Sequence, residues 1–317
     1  MLTRKENPAL FSLVEKTLKD KYSTKVTSEY ILDKDLQKIY TLDNCDMAKI
    51  NLTSLEGIQN IPNLLSLRIY GMNERKLKMT AKKEAEQIIK ASGEDASSQF
   101  VEEVRDKTSA KARKIYNENQ IADLRIIEEC ENLGALSIVE QRKVENINIS
   151  NNEDLFSFIL SSCPNIKSVQ GLDKLNFNYK SNSIQFIDCP NLRTIHNFDK
   201  FVQNVLNADS DIKVLLPANY FSIMANTHKG VLEDEKFLNS KRFSWTEGTC
   251  IVNKSTMQMK IFKEKVDNIL KTIIDKDDSD IVKISKVYRW ICNNFKYSKE
   301  EYARQLELEK KIDKTSQ

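Results

Sequence analysis

IQFIDCPNLRTIHNFDKF, residues 184–201, is the stretch on which the fold reading turns. An apolar period runs through Ile184, Phe186, Cys189 and Leu192, with a cysteine in the middle of it. Cysteine is a common small buried hydrophobe, so the position alone says little. Its meaning comes from the other places where the pattern returns.

Three segments align without gaps over ten residues: LTSLEGIQNI (52–61), IKSVQGLDKL (166–175) and LRTIHNFDKF (192–201). Aliphatic or aromatic residues recur at the first, fourth, seventh and tenth positions. The last two extend upstream to CPNIKSVQGLDKL and CPNLRTIHNFDKF, offset by 26 residues. Before them lie INISNNEDL (147–155) and IQFIDCPNL (184–192), both of the form L-x-L-x-x-N/C-x-x-L. This pattern resembles the leucine-rich repeat. In such a repeat the L-x-L pair points two alternate side chains of a short strand into the core. The N/C position then faces inward beneath the turn, where an Asn or a Cys satisfies buried backbone groups. Asn152 and Cys189 hold that slot in the two clearest copies. Cys45, in IYTLDNCDMAKI, holds it in a weaker one, with Tyr40 and Leu42 as the strand pair. Cys45 and Cys189 are therefore expected to be structural, with no redox or metal role.

At the N-terminus, NPALFSLVEKTLKDKY (7–22) carries apolar residues at 10, 11, 14 and 18, a helical stripe. It leads into ILDKDLQKIYTL and then INLTSLEGIQNIPNLLSLRIYGMN. This succession resembles the capped start of internalin-type bacterial leucine-rich-repeat proteins. A solenoid needs a cap because its first coil would otherwise expose an apolar face. The resemblance covers residues 7–72 and 144–224, about half the chain. It implies an α/β repeat fold: a short leucine-rich-repeat solenoid with a helical insertion and a helical C-terminal segment. The expected divisions are 1–72 (cap and first repeats), 73–134 (inserted helical hairpin), 135–235 (further repeats) and 236–317 (C-terminal helices).

Residues 75–134 lack proline and are rich in Ala, Glu, Lys and Arg, which favours helix. Gly93 divides the stretch into two helices, with Asp95, Ser97 or Ser98 placed to cap the second. Leu77, Ala81, Ala85, Ile88 and Ile89 form one apolar face. Phe100, Val104, Ile115, Ala122 and Ile126 form a looser one. From 75 to 114 there are eleven Lys/Arg and seven Asp/Glu, a mildly basic but mixed surface.

Near the C-terminus, TMQMKIFKEKVDNILKTII (256–274) reads as an amphipathic helix with Met259, Phe262, Val266, Ile269 and Ile273 on one side. IVKISKVYRWICNNFKYSKEEYARQ (281–305) follows, with Ile284, Val287, Ile291 and Phe295 along one face. Lys283, Val287, Tyr288, Trp290, Ile291, Asn294, Phe295 and Tyr297 resemble the opening helix of transglutaminase-like domains of the papain-type superfamily. That family's chemistry uses a later Cys nucleophile, a His base and an orienting Asp. Here no Cys follows Cys292 and no His follows His228. Cys292 lies inside the opening helix, so the resemblance places no catalytic role on it.

The 317 residues are 40% hydrophobic and 30% charged, which fits a folded chain. A net charge of +3 gives no push toward nucleic acid. No apolar run is long enough for a membrane span, and the first residues are broken by charge and Pro too early for a secretory leader. A cytoplasmic location is expected, with leaderless export compatible. The six cysteines, at 45, 130, 163, 189, 250 and 292, form no CxxC pair, and His196 and His228 are isolated. Seven glycines and no phosphate-cradling loop leave no cofactor motif. No catalytic, cofactor-binding or metal residue is assigned. The expected function is a non-enzymatic module that binds a protein partner through its strand face and helical insertion. The alternative is the N-terminal targeting part of a larger cysteine-dependent transglutaminase- or protease-like enzyme whose catalytic residues lie beyond this chain.

Overall fold

Short runs in which every second residue is apolar give this chain its sheet, because alternate side chains of a strand point to opposite faces. The computed structural model describes residues 1–44, 52–71, 74–92, 97–118, 120–252 and 254–294. Two compact units are present, Met1–Lys254 and Ser255–Gln317. The first opens with β1 (Leu2–Thr3), α1 (Pro8–Tyr22), β2 (Tyr30–Ile31), α2 (Asp33–Leu36) and β3 (Thr41–Asp43). Then come β4 (Ser66–Tyr70), α3 (Glu74–Ala91), α4 (Ser98–Glu118), β5 (Ala135–Val139) and β6 (Asn146–Asn148). β7 (Ser157–Ser161), β8 (Ser168–Gln170), β9 (Ser181–Ile187), β10 (Thr194–Ile195) and α5 (Phe198–Asn207) follow. The unit closes with β11 (Asp211–Pro217), α6 (Ala218–Thr227), α7 (Lys229–Glu233), α8 (Glu235–Asn239), β12 (Phe243–Glu247) and β13 (Cys250–Val252). The described part of the second unit, residues 255–294, holds α10 (Asp280–Asn294) and all but the first residue of α9 (Lys254–Ile273).

The expected leucine-rich-repeat solenoid is corrected by this architecture. The chain is an α/β structure built on one large mixed sheet of eight strands, in the order β13-β12-β11-β9-β7-β5-β4-β3, together with helices. All its pairings are parallel except β12 with β13 at the edge. Two physical reasons separate it from one strand per repeat. First, the spacing is uneven. Register partners run from Thr41 to Ser66, Ser66 to Ala135, Ala135 to Ser157, Ser157 to Ser183, Ser181 to Asp211 and Val214 to Phe243, steps of 25, 69, 22, 26, 30 and 29 residues. Second, the two aligned strand motifs fall on different sheets. INISNNEDL contributes β6 to a separate three-stranded parallel sheet, β10-β8-β6, whereas IQFIDCPNL contributes β9 to the large one.

The core lies on the inner face of the large sheet. Leu67, Ile69, Leu136, Ile138, Phe158, Leu160, Ile184, Phe186, Val214, Leu216 and Trp245 are all at most 1% exposed. Phe158 and Phe186 meet edge to face at 5.8 Å, and Phe221 of α6 meets Trp245 at 5.0 Å. The Tyr220 hydroxyl accepts a hydrogen bond from the Ile195 amide at 3.1 Å, tying α6 to the smaller sheet. At the start of the chain Asn7 caps α1, accepting from the Leu10 amide at 3.0 Å, with Pro8 at the first helical position. The same side chain donates to the carbonyls of Ser54 and Glu56, which fixes α1 against the turn that follows.

The ten-residue alignment has a backbone cause. Its sixth position is Gly57, Gly171 and Asn197, with φ of 98°, 98° and 54°. Left-handed backbone is open to glycine and tolerated by asparagine. Each reverses the chain into a helical turn, Ile58–Asn60, Leu172–Lys174 or α5.

α3 and α4 occupy the inserted stretch, and the Ser97 hydroxyl accepts from the Phe100 amide at 3.3 Å at the start of α4. Gly93 and Asp95 lie outside the described residues. Residues 236–254, grouped by sequence with the C-terminal helices, belong to the first unit, where β12 extends the large sheet. In the second unit Met257 of α9 is buried, but the described residues of the expected apolar faces of α9 and α10 are exposed or half-buried. Phe262 is 64% exposed and Ile284 70%, while Val266, Ile269, Ile273 and Val287 are half-buried. Among the described residues no helix is long and apolar enough to cross a membrane.

A Cβ built on Gly171 would lie 2.5 Å from the Ser150 amide nitrogen, at positive φ, whereas one on Gly230 in α7 meets nothing within 4 Å. Gly171→Ala is therefore expected to destabilise the protein by roughly 2 kcal/mol or more. Gly230→Ala should be neutral or stabilise by roughly 0.5–1 kcal/mol. Urea unfolding of the two variants checks this; equal effects would contradict the turn geometry.

Candidate interaction surface

The outer face of the large sheet is set by the same alternation that fills the core. Register places Thr41, Ser66, Ala135, Ser157, Ser183 and Lys213 in one row across the strands. The next row is Asp43, Arg68, Ser137, Ile159, Gln185, Leu215 and Ser244. A third contains Tyr70, Val139, Ser161 and Ile187. Each of these residues is half-buried or exposed. Among the described residues the face is thus mostly hydroxyls and aliphatic groups, with Lys213 on β11 and an ion pair, Arg68 to Asp43 at 3.8 Å, near the β3 edge.

Apolar side chains gather at the N-terminal ends of the strands. Tyr40, Leu65 and Phe156 each precede the first row by one residue, and the Tyr179 ring meets that of Phe156 at 4.6 Å, tilted by 50°. Tyr40 is 54% exposed, Leu65 43% and Tyr179 42%. Gly134 permits this convergence: a Cβ there would lie 2.7 Å from the Phe156 ring and 2.9 Å from Leu65. Tyr40 is therefore a rim residue, contrary to the expectation that it forms an inward strand pair with Leu42. The inward pair is Leu42 and Asn44, whose amide donates to the Tyr70 carbonyl at 3.0 Å and accepts from the Tyr70 amide. Cys45 lies outside the described residues.

The polar slots after the inward strand pairs are occupied by small donors. Cys189 is fully buried, and its thiol lies 3.7 Å from the Leu160 carbonyl, as a donor to the preceding strand. Cys163 repeats the contact one strand back, 3.6 Å from the Ile138 carbonyl. Thr246 donates to the Phe186 carbonyl at 3.1 Å on the next side. Asn152, on the smaller sheet's side, donates to the carbonyls of Ile127 and Cys130 at 3.1 and 2.9 Å. SFILSSCPNI (157–166) is thus the true counterpart of IQFIDCPNL, with Phe158, Leu160, Cys163 and Ile166 inward. The shared CPN was visible; stepping back from it to Phe158 and Leu160 would have found β7.

These thiols are unsuited to nucleophilic chemistry. Burial pushes the Cys163 pKa from 9.0 up to about 11 and that of Cys189 up to about 12. Burial also raises Cys130 to about 11. Cys250 and Cys292 are exposed. His196 is exposed, and His228 Nδ1 lies 2.6 Å from Asp199 Oδ1 with its ring 5.0 Å from Phe198. Among the described residues no group of three His, Cys, Asp or Glu side chains is arranged to hold a metal.

No protein-family model matches the chain, and a search of curated proteins finds no match.

A raised folded-state thiol pKa means that the unfolded chain binds fewer protons above pH about 9. The stability from burying Cys163 and Cys189 as neutral thiols is complete below that pH and is lost as pH rises through about 11 to 12. Stability should fall by up to about 1.4 kcal/mol per pH unit per buried thiol in that window. The Cys163→Ala, Cys189→Ala double variant should show a shallower fall. Peptide mapping after thiol labelling at pH 8 should find Cys250 and Cys292 modified, and Cys130, Cys163 and Cys189 only after unfolding. Native labelling of Cys189 would contradict the slot assignment.

Proposed function

We propose that this chain is a non-enzymatic protein-interaction module. It binds a protein partner through the uncovered face of its large sheet, with the helical insertion contributing a second contact. The observation that carries this reading is the registered, largely uncharged outer face with its rim of Tyr40, Leu65, Phe156 and Tyr179. Protein interfaces are depleted of charge and enriched in aromatic residues where they bury most, and a few such anchors carry much of the binding energy. The same proposal includes no nucleic-acid partner and a cytoplasmic setting, in which the buried thiols stay reduced.

The second reading, the front part of a larger cysteine-dependent enzyme, draws on one observation. The helix resembling the opening of a transglutaminase-like domain forms as α10, and its Ile284, Tyr288 and Ile291 are exposed, as they would be before further chain covers them.

A photo-crosslinking residue at Ser137 gives the test, with partner capture compared between the wild type, Ile159→Asp/Gln185→Lys on the face, and Lys174→Glu on the turn after Gly171. The face variant should keep its thermal midpoint and lose at least about tenfold in capture, while Lys174→Glu keeps it. Unchanged capture by the face variant would overturn the reading. So would amine incorporation or peptide cleavage by the purified chain that Cys292→Ser abolishes.

A further inference from the structure

α3 and α4 lie side by side, with Ala81, Ala85, Val104 and Thr108 buried between them and Lys111 bonded to Glu84 at 2.7 Å. Beside this seam runs a groove of about 470 Å³. Its α3 wall is Lys78, Ala81, Lys82, Ala85 and Glu86. Its α4 wall is Arg105, Thr108, Ser109, Ala112 and Arg113. Both walls follow the spacing i, i+3, i+4, i+7, i+8, the stripe one helix presents to another.

The walls divide by chemistry. The floor is built from alanines, a serine and a threonine, so a backbone can approach closely. The Thr108 hydroxyl already donates to the Val104 carbonyl at 2.9 Å, so it is not a directed donor for a compact polar ligand. Among the described lining residues the rims carry Lys78, Lys82, Arg105 and Arg113 and one carboxylate, Glu86, which pairs with Lys82 at 4.0 Å; Lys78 is engaged elsewhere, so Arg105 and Arg113 are the principal cations offered to a partner. Among the described residues no carboxylate lies within ion-pair distance of Arg105 or Arg113. Among the described residues no aromatic ring lines the groove to stack a nucleobase, and its apolar floor is recessed rather than projecting toward a lipid surface.

The geometry points to an acidic amphipathic helix of a protein partner as the occupant of this groove. Its small apolar face lies over Ala81, Ala85, Thr108 and Ala112, and its flanking Asp or Glu residues meet the cations on both rims. The pair then becomes a three-helix bundle, with close packing over about 12 Å, or about two turns. This rests on the interaction-module reading and names the partner chemistry for the insertion.

The test pans the full chain against a displayed library of amphipathic helices about 20 residues long, randomised at the apolar and flanking positions. Enriched sequences are expected to carry Asp or Glu at the flanks and small apolar residues between them. Their synthetic peptides should bind at least about tenfold more weakly to Arg105→Glu/Arg113→Glu, and more weakly as salt rises. Ala85→Trp, which fills the floor, should abolish binding while circular dichroism shows the helices retained. No enrichment, basic flanks, or equal affinity for the charge-reversed variant would overturn the proposal. So would binding through these arginines of a single-stranded RNA or of phosphatidylserine vesicles in preference to every selected peptide. If the groove fails while partner capture still depends on Ile159 and Gln185, the groove alone is wrong and the sheet-face reading stands.

Discussion

The structure depends on one constraint, the register of seven parallel strands. Pairing Ser157 with Ser183 and Ser161 with Ile187 sets Phe158 and Leu160 beside Ile184 and Phe186. The same phase continues through Val214, Leu216 and Trp245 in one direction and through Ile138, Leu136, Ile69 and Leu67 in the other. A slip of one residue in any strand would turn its core side chains outward and bring serines and glutamine into the core. Because that is costly for every strand at once, the buried inner face also dictates the composition of the outer one.

A parallel strand must then leave the sheet without stranding its backbone polar groups. Here the exits are closed by small donors: the thiols of Cys163 and Cys189, the hydroxyl of Thr246 and the amide of Asn44. A cysteine in an apolar period is therefore a backbone-satisfying residue in this chain. Its raised pKa is a by-product of the burial that makes it useful there.

Much of this was legible. Alternation marked Ile184 and Phe186, the missing proline and the helix formers marked α3 and α4, and the ten-residue alignment located three left-handed turns at Gly57, Gly171 and Asn197. What the alignment could not distinguish was which sheet a short strand joins. Ile147 and Ile184 sit in similar local patterns, yet one pairs with Val169 and the other with Phe158. Pairing partners are non-local, and local period carries no information about them. The outer face was hidden for a different reason. Ser137, Ile159 and Gln185 are unremarkable singly and become a surface only when register sets them in one row. The groove between α3 and α4 was half visible, as a basic bias whose mixed charges concealed how the cations sort to the rims.

One face of the large sheet is packed and the other open. Single cysteines introduced at positions 183 to 187, in a background lacking the exposed Cys250 and Cys292, would test it by their native labelling rates. Labelling should be fast at Ser183, Gln185 and Ile187 and slow at Ile184 and Phe186, the rates alternating with period two. Protection of Gln185 together with fast labelling of Phe186, or a uniform rate along the strand, would contradict it.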